Sequence, residues 1–276
     1  MSSTDTLTLL ACQIEIPAMT TAAERDAHLV TSAAKIRAQL DTQNADLVVL
    51  PELSSIDYSR PAFECLDEIA EPLDGASFQC WRQVAQECGV FISYSFARRD
   101  ASGTYIAIAV VAPDGSLVGH YDKLHMCQYG ASMEKEYFDR GDHVFTFKIK
   151  GFTLAPIICY DIRIPELCRT LTLQHNVDVI LHCGAYYRDE SFATWHAFTT
   201  TRALENQVFF LSLNRAGDTW GNSTFCWPWM DENIAPVNFA DTAEDFRFIT
   251  LTRDRMDQVR EDYTFLKDRL ENYEAL

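Results

Sequence analysis

Apolar positions along the chain switch repeatedly between two periods. Residues 7–14, "LTLLACQI", form a strand-sized apolar run, and residues 22–40, "AAERDAHLVTSAAKIRAQL", space theirs at helical intervals. "ADLVVLPE" (45–52) carries an unbroken apolar run, "LVVL", up to its proline, as a strand covered on both faces should. The pattern then predicts helical stretches at 61–70 and 76–88, and strands at "VFISYSF" (90–96) and "TYIAIAVVA" (104–112). "PDGS" (113–116) is a turn into "LVGHY", so these two strands should form a hairpin. A polar loop over 122–142 precedes strands at "VFTFKI" and "FTLAPIIC". The second half repeats the alternation: a helix over 164–174, strand "DVILHC", helix "FATWHAFTTTRALEN", strand "QVFFLSL", and strands at "TFCW" and "FRFITL". A charged helix, "DRMDQVREDYTFLKDRLENY", closes the chain. Strands mixed with helices throughout predict sheets covered by helices. No Gly-, Ser- or Pro-rich linker interrupts the pattern, so residues 1–276 are expected to form one domain with a helical tail from about residue 254.

Composition adds exclusions. The chain is 47% hydrophobic and 23% charged, which suits a folded globular protein rather than a disordered one. Its 23 basic and 40 acidic side chains give a net charge of −17, which would repel nucleic acid and anionic membranes. The longest apolar runs are too short to cross a bilayer, and no basic region precedes the apolar run at the N-terminus. The nine cysteines are odd in number and include no CxxC pair, which argues against a disulfide scaffold or a zinc knuckle. A cytoplasmic location follows as the expectation, with most of the thiols serving as small core residues.

Three reactive side chains stand just past buried strands: Glu52 in "DLVVLPEL", Lys123 in "GHYDKLH" and Cys159 in "APIICYD". Strand ends in covered α/β sheets are where ligands collect. Cys159 could be filler, half of a disulfide, a metal ligand or a nucleophile, and its neighbours are needed to choose. A thiol attacks only as thiolate, from a free pKa of about 8.5, so it needs a base or a positive charge nearby. A desolvated glutamate can take the thiol proton and return it to a leaving amine, while an ammonium stabilises a tetrahedral oxyanion. Backbone N–H groups behind Cys159, at the start of the following helix, would be further donors.

The blocks "LPEL", "YDKLH" and "ICYDIRIPELCR" closely resemble the three signature blocks of the nitrilase superfamily of carbon–nitrogen hydrolases. "CQ" at Cys12 and Gln13, "EKEYFDRGD", "TRALENQVFFLSLNRAG" and "GNSTF" extend the resemblance from about residue 8 to 240 in one order. It implies a four-layer α-β-β-α sandwich and a Glu-Lys-Cys triad. Glu52 matches the general base, Lys123 the oxyanion lysine and Cys159 the nucleophile. Glu134 matches a second active-site glutamate, with Glu136 the competing choice. The backbone N–H of Tyr160 would complete the oxyanion hole. The resemblance implies no metal and no organic cofactor. It implies a homodimer or higher homo-oligomer, and a small linear amide or N-carbamoyl amine as substrate. A nitrilase, an acyltransferase using the same thioester and a non-catalytic scaffold are the alternatives. The chain departs from the family pattern at Arg140, Ile164, Trp227 and Met230.

Other residues read more quietly. Tyr58, Tyr186 and Tyr187 follow strands near Glu52 and Cys159 and are candidate pocket residues. Asp161 and Arg163 are expected to pair and brace the turn, and Arg202 and Glu205 to be structural. His125, His182 and His196 would be needed for a rival Cys-His dyad, and each reads instead as a loop or core histidine.

Overall fold

The computed structural model describes residues 6–273. Strand β1 (Thr6–Gln13) runs parallel to β2 (Leu47–Val49), which runs parallel to β3 (Phe91–Asp100). The hairpin at "PDGS" joins β4 (Gly103–Val111) to β5 (Leu117–Asp122) and extends this sheet on one side. A late strand, β12 (Asp245–Thr252), closes the other side against β1, giving the order β12-β1-β2-β3-β4-β5. The second sheet repeats the plan. Strands β7 (Phe152–Ile158), β8 (Val179–Cys183) and β9 (Phe209–Leu213) are parallel at its centre. They are flanked by β6 (Phe147–Ile149), β10 (Thr224–Cys226) and β11 (Val237–Asn238) in the order β11-β10-β9-β8-β7-β6. The strands "TFCW" and "FRFITL" therefore lie in different sheets.

Helices α1 (Ala22–Leu40) and α4 (Ala76–Cys88) pack on each other outside the first sheet, with α4 against β3 and β4. Helices α5 (Pro165–His175) and α6 (Phe192–Asn206) do the same for the second, with α6 against β9 and β10. The inner faces meet where β1 packs on β9, so the layers run α-β-β-α. Every residue of β2, β8 and β9 is buried, the result of covering a sheet on both sides. Helix α1 starts at a capping box: Glu24 N–H donates to Thr21 Oγ1 at 3.3 Å and Thr21 N–H to Glu24 Oε2 at 3.1 Å.

Two predicted helices come out differently. Residues 61–70 are split at Cys65 into α2 (Arg60–Glu64) and α3 (Leu66–Ile69). The closing helix is broken too, into α7 (Arg253–Asp262) and α8 (Phe265–Asp268). At the break, Tyr263 stacks on Trp229 with ring centroids 3.7 Å apart, and its carbonyl accepts from Gln207 Nε2 at 2.6 Å. Those contacts turn the backbone out of the helix at a place with no proline or glycine. No helix among the described residues is long and apolar enough to cross a membrane.

Candidate active site

The three strand ends converge between the sheets. Glu52 lies three residues past β2, Lys123 follows β5 directly and Cys159 follows β7 directly. Lys123 cannot slide: its N–H donates to Ile106 O at 2.9 Å and its carbonyl accepts from Gly141 N at 2.9 Å. Gly141 must be glycine for this approach, since a Cβ there would sit 2.2 Å from the carbonyl oxygen of Asp122. Arg215, wholly buried, donates to Leu53 O at 2.9 Å and Ile56 O at 2.7 Å and so orders the loop that carries Glu52.

Glu52, Lys123 and Glu134 are each fully excluded from solvent. Lys123 Nζ donates to Glu52 Oε1 at 2.8 Å and to Glu134 Oε1 at 2.6 Å. Each carboxylate has further donors: Ala185 N–H reaches Glu52 Oε2 at 2.7 Å, Tyr58 OH reaches Glu134 Oε1 at 2.7 Å, and Cys127 N–H reaches Glu134 Oε2 at 2.9 Å. The competing Glu136 is on the surface, paired with Arg60 at 2.8 Å. Of the two, only Glu134 meets the lysine.

Burial sets the electrostatics. It raises Glu52 to about 7, against the pull of Lys123 and with the push of the Glu134 charge. For Lys123 burial acts downward, but the two carboxylates outweigh it and hold the ammonium well above the usual lysine range. The Cys159 thiol is raised by burial and by the Glu52 charge, with Lys123 opposing. Cys159 is therefore a protonated thiol within the field of all three charged groups. No hydrogen bond joins its sulfur to Glu52 or Lys123 among the described residues; the cation is held by the two carboxylates instead.

Cys159 itself has φ of +45°, a left-handed conformation that costs a non-glycine residue energy and clusters at functional turns. It opens a 3₁₀ turn (Cys159–Arg163), and α5 begins only at Pro165. The N–H groups behind the thiol thus belong to this turn and not to the first turn of the helix, as the sequence pattern had suggested. The expected Asp161–Arg163 pair does not form. Asp161 accepts from four donors: Tyr121 OH at 2.7 Å, His125 N–H at 3.0 Å, His125 Nδ1 at 2.7 Å and Ile158 N–H at 2.9 Å. Arg163 turns the other way, donating to Thr194 Oγ1 at 2.9 Å and Ser191 O at 3.3 Å. Arg202 does pair with Glu205, at 2.9 Å.

The thiol opens on a narrow cavity of about 30 Å³ lined by Tyr58, Cys127, Tyr186, Tyr187, Arg163 and others. All three predicted pocket tyrosines are on its wall. His182, in β8, touches the carbonyl oxygen of Cys159 (3.0 Å) rather than its sulfur, and burial lowers it to about 4. His196 bonds Asn222 O at 2.8 Å, so none of the three histidines is bonded to the thiol. Among the described residues no cluster of three or more His, Cys, Asp or Glu side chains could hold a metal ion. Arg163 and Arg215 were missed as neighbours of the site. Arg215 lies in "NRAG" directly past β9, a fourth strand end, which was the available signal.

The carbon–nitrogen hydrolase family model matches residues 9–260. The chain is 31% identical over 212 residues to the omega-amidase NIT2 of Homo sapiens, spanning 72% of this chain and 75% of that protein. It is 30% identical over 225 residues to the omega-amidase NIT2-B of Xenopus laevis, spanning 77% and 80%. Among solved structures, Saccharomyces cerevisiae Nit3, a member of branch 10 of the nitrilase superfamily, superposes with a TM-score of 0.83 at 21% identity, covering 97% of this chain and 98% of that one. A mutant of the amidase from Nesterenkonia sp. AN1, holding the acetamide moiety of fluoroacetamide covalently added at its active-site cysteine, superposes with a TM-score of 0.74 at 18% identity, covering 97% of this chain and 95% of that one. Those two likenesses are likenesses of fold. The family match covers most of the chain and the relatives agree with it: the protein belongs to the carbon–nitrogen hydrolase family.

Proposed function

We propose that the protein hydrolyses a small linear ω-amide through a thioester on Cys159. The observation that carries this reading is the buried Glu52–Lys123–Glu134 cluster whose field acts on a thiol facing a narrow cavity. Glu52 takes the Cys159 proton as the sulfur attacks the amide carbon. The carbonyl π pair moves to oxygen, where Lys123 Nζ–H and Tyr160 N–H stabilise the charge. Glu52 then protonates the nitrogen, the C–N bond breaks and ammonia leaves. Water gives a proton to Glu52 and attacks the thioester; collapse of that intermediate expels the sulfur, which recovers its proton from Glu52. Glu134 keeps Lys123 charged and in place.

The substrate reading rests on the charged lining of the cavity. Arg163 makes no ion pair among the described residues, its Nε is buried without a hydrogen-bond partner, and it lines the same cavity as the thiol. Asp189, which also lines the cavity, is already engaged by Ser191 N–H at 2.8 Å and Ala131 N–H at 3.2 Å. A short acid carrying an amide at one end and a carboxylate at the other would place the amide at Cys159 and the carboxylate at Arg163. The human and Xenopus relatives are omega-amidases, which supports that choice.

The test is ammonia release from a panel of ω-amides, neutral aliphatic amides, N-carbamoyl amines and nitriles by wild type, Cys159→Ala and Arg163→Gln. The expected result is release from ω-amides, none by Cys159→Ala, and a KM raised at least about tenfold by Arg163→Gln, the usual cost of losing a charged hydrogen bond. Full activity in Cys159→Ala would overturn the mechanism. Equal turnover of neutral and acidic amides would overturn the substrate class.

A further inference from the structure

The peptide group between Cys159 and Tyr160 has two ends, and the reading above uses one of them. No peptide bond in the described chain is cis, so the Cys159 carbonyl and the Tyr160 N–H point in opposite directions across one rigid plane. Whatever holds the carbonyl also aims the N–H.

That carbonyl is held from behind by a buried chain of donors. Cys159 O accepts from Tyr186 OH at 3.0 Å and lies 3.0 Å from His182 Nε2. A carbonyl oxygen only accepts, so Nε2 of this neutral ring must carry the proton and Nδ1 must be the acceptor. Nδ1 lies 2.6 Å from Ser212 Oγ, which fixes the serine hydroxyl as donor to the ring. Ser212 Oγ in turn accepts from Trp195 Nε1–H at 2.8 Å. The direction of every bond is thereby set: Trp195 to Ser212 to His182 to Cys159 O. The same tryptophan ring stacks on Tyr186 at 4.5 Å with the planes 8° apart, so the second donor is fixed by the same side chain. His182, Ser212 and Trp195 are fully buried, and Tyr186 is 4% exposed.

We propose that His182, Ser212 and Tyr186 are positioning residues for the oxyanion hole: by holding and polarising the Cys159 carbonyl, they aim and strengthen the Tyr160 N–H that receives the developing negative charge. The inference rests on the thioester reading above. Two physical effects support it. Hydrogen bonds accepted by one end of an amide make its other end a better donor, the cooperativity of linked hydrogen bonds in a low-dielectric interior. And Cys159 sits at φ +45°, a strained geometry that persists only where its surroundings over-determine it.

The experiment separates carbonyl chemistry from thiol chemistry. Tyr186→Phe keeps the stacked ring and deletes one donor to Cys159 O. Ser212→Ala deletes the support of His182 Nδ1. Three quantities are measured on wild type and both variants: kcat and KM for the best ω-amide, the rate of Cys159 modification by methyl methanethiosulfonate, which has no carbonyl, and inhibition by the aldehyde analogue of the substrate, which forms an oxyanion on the thiol. A whole oxyanion donor is worth about a hundredfold to a thousandfold in kcat, so weakening one should lower kcat about tenfold in Tyr186→Phe with KM unchanged. Aldehyde affinity should fall by the same factor, while thiol modification stays within about twofold of wild type. Turnover equal to wild type in Tyr186→Phe overturns the proposal, as does a modification rate that falls in step with turnover, which would mean that the thiol and not the N–H has moved. If Ser212→Ala does not fold, Tyr186→Phe decides alone. A wild type inactive on every amide would instead sink the thioester reading, and this inference with it.

Discussion

At the scale of single residues, the site is a problem of three buried charges. Two carboxylates and one ammonium leave a net negative charge among side chains fully shielded from solvent, and desolvation then favours a proton on Glu52. Glu52 is raised to about 7 by its burial and by the neighbouring Glu134 charge, with Lys123 and the Ala185 N–H pulling the other way. In the proposed mechanism Glu52 is the base, and it can accept a proton only when ionised. Activity is therefore lost as pH falls through about 7, by about tenfold per unit well below it, with the apparent value belonging to the coupled cluster. Glu134→Gln removes a negative neighbour that raises Glu52 and frees Lys123 to pair with Glu52 alone. Both changes lower Glu52, so the acid limb of the kcat/KM profile should move to lower pH even though the rate at its plateau falls. A pH–rate comparison of wild type and Glu134→Gln checks this, and an acid limb that stays put or moves upward would refute it.

At the scale of elements, the central feature is the elbow from β7 through the 3₁₀ turn into α5. Asp161 is its anchor. Four donors from β5, from the loop behind Lys123 and from the end of β7 fill both its oxygens, so one buried side chain ties the lysine loop to the cysteine turn. Asp161→Asn turns one acceptor oxygen into a donor facing donors. It should cost about 3 kcal/mol of stability, the price of unsatisfied buried groups beside a lost charge-assisted bond. It should also slow turnover, because Lys123 and Cys159 lose their shared brace. Urea midpoints and steady-state rates measure both, and a midpoint within error of wild type would show that the elbow does not depend on Asp161. The sequence located this elbow well: an apolar run ending on a thiol, with Pro165 opening the helix, is readable by period alone. It did not reveal which side chains brace the elbow. Asp161 and Arg163 are two apart and opposite in charge, which suggests a pair, yet their partners come from residues 121, 125, 158, 191 and 194, and only the folded chain decides between near and distant partners. The broken tail helix has the same origin, since Trp229 and Gln207 act on Tyr263 from elsewhere in the fold.

At the scale of the whole molecule, two similar halves must be held face to face so that residues from both reach one point. Glu52 and Lys123 come from the first sheet and Cys159 from the second, so a slide of one sheet over the other would separate them. Gln13, at the end of β1, is one lock against that slide. Its Nε2 donates to Ala240 O at 2.8 Å and Ala243 O at 2.7 Å, and its Oε1 accepts from Ser223 N–H at 3.0 Å and from Ser223 Oγ at 2.6 Å. The amide uses its two donors and its oxygen together, and Ser223 Oγ continues the path by accepting from Asn214 N–H at 2.8 Å. Asn214 accepts from Tyr186 N–H at 2.8 Å, which carries the connection to the wall of the cavity. The sequence marked Gln13 only as half of a "CQ" match; its role depends on partners about 210 to 230 residues away. Gln13→Leu keeps the volume and removes the bonds. With Ala240 O, Ala243 O and Ser223 N–H all left without this partner, the loss should be about 3 kcal/mol or more. The urea midpoint should drop with an unchanged m-value, since the surface exposed on unfolding stays the same. Turnover should fall further than the thiol's reactivity toward methyl methanethiosulfonate, because that reaction needs only an accessible sulfur whereas hydrolysis needs both sheets in register. A variant that loses stability but keeps full turnover would show that the two sheets are held in register by other contacts.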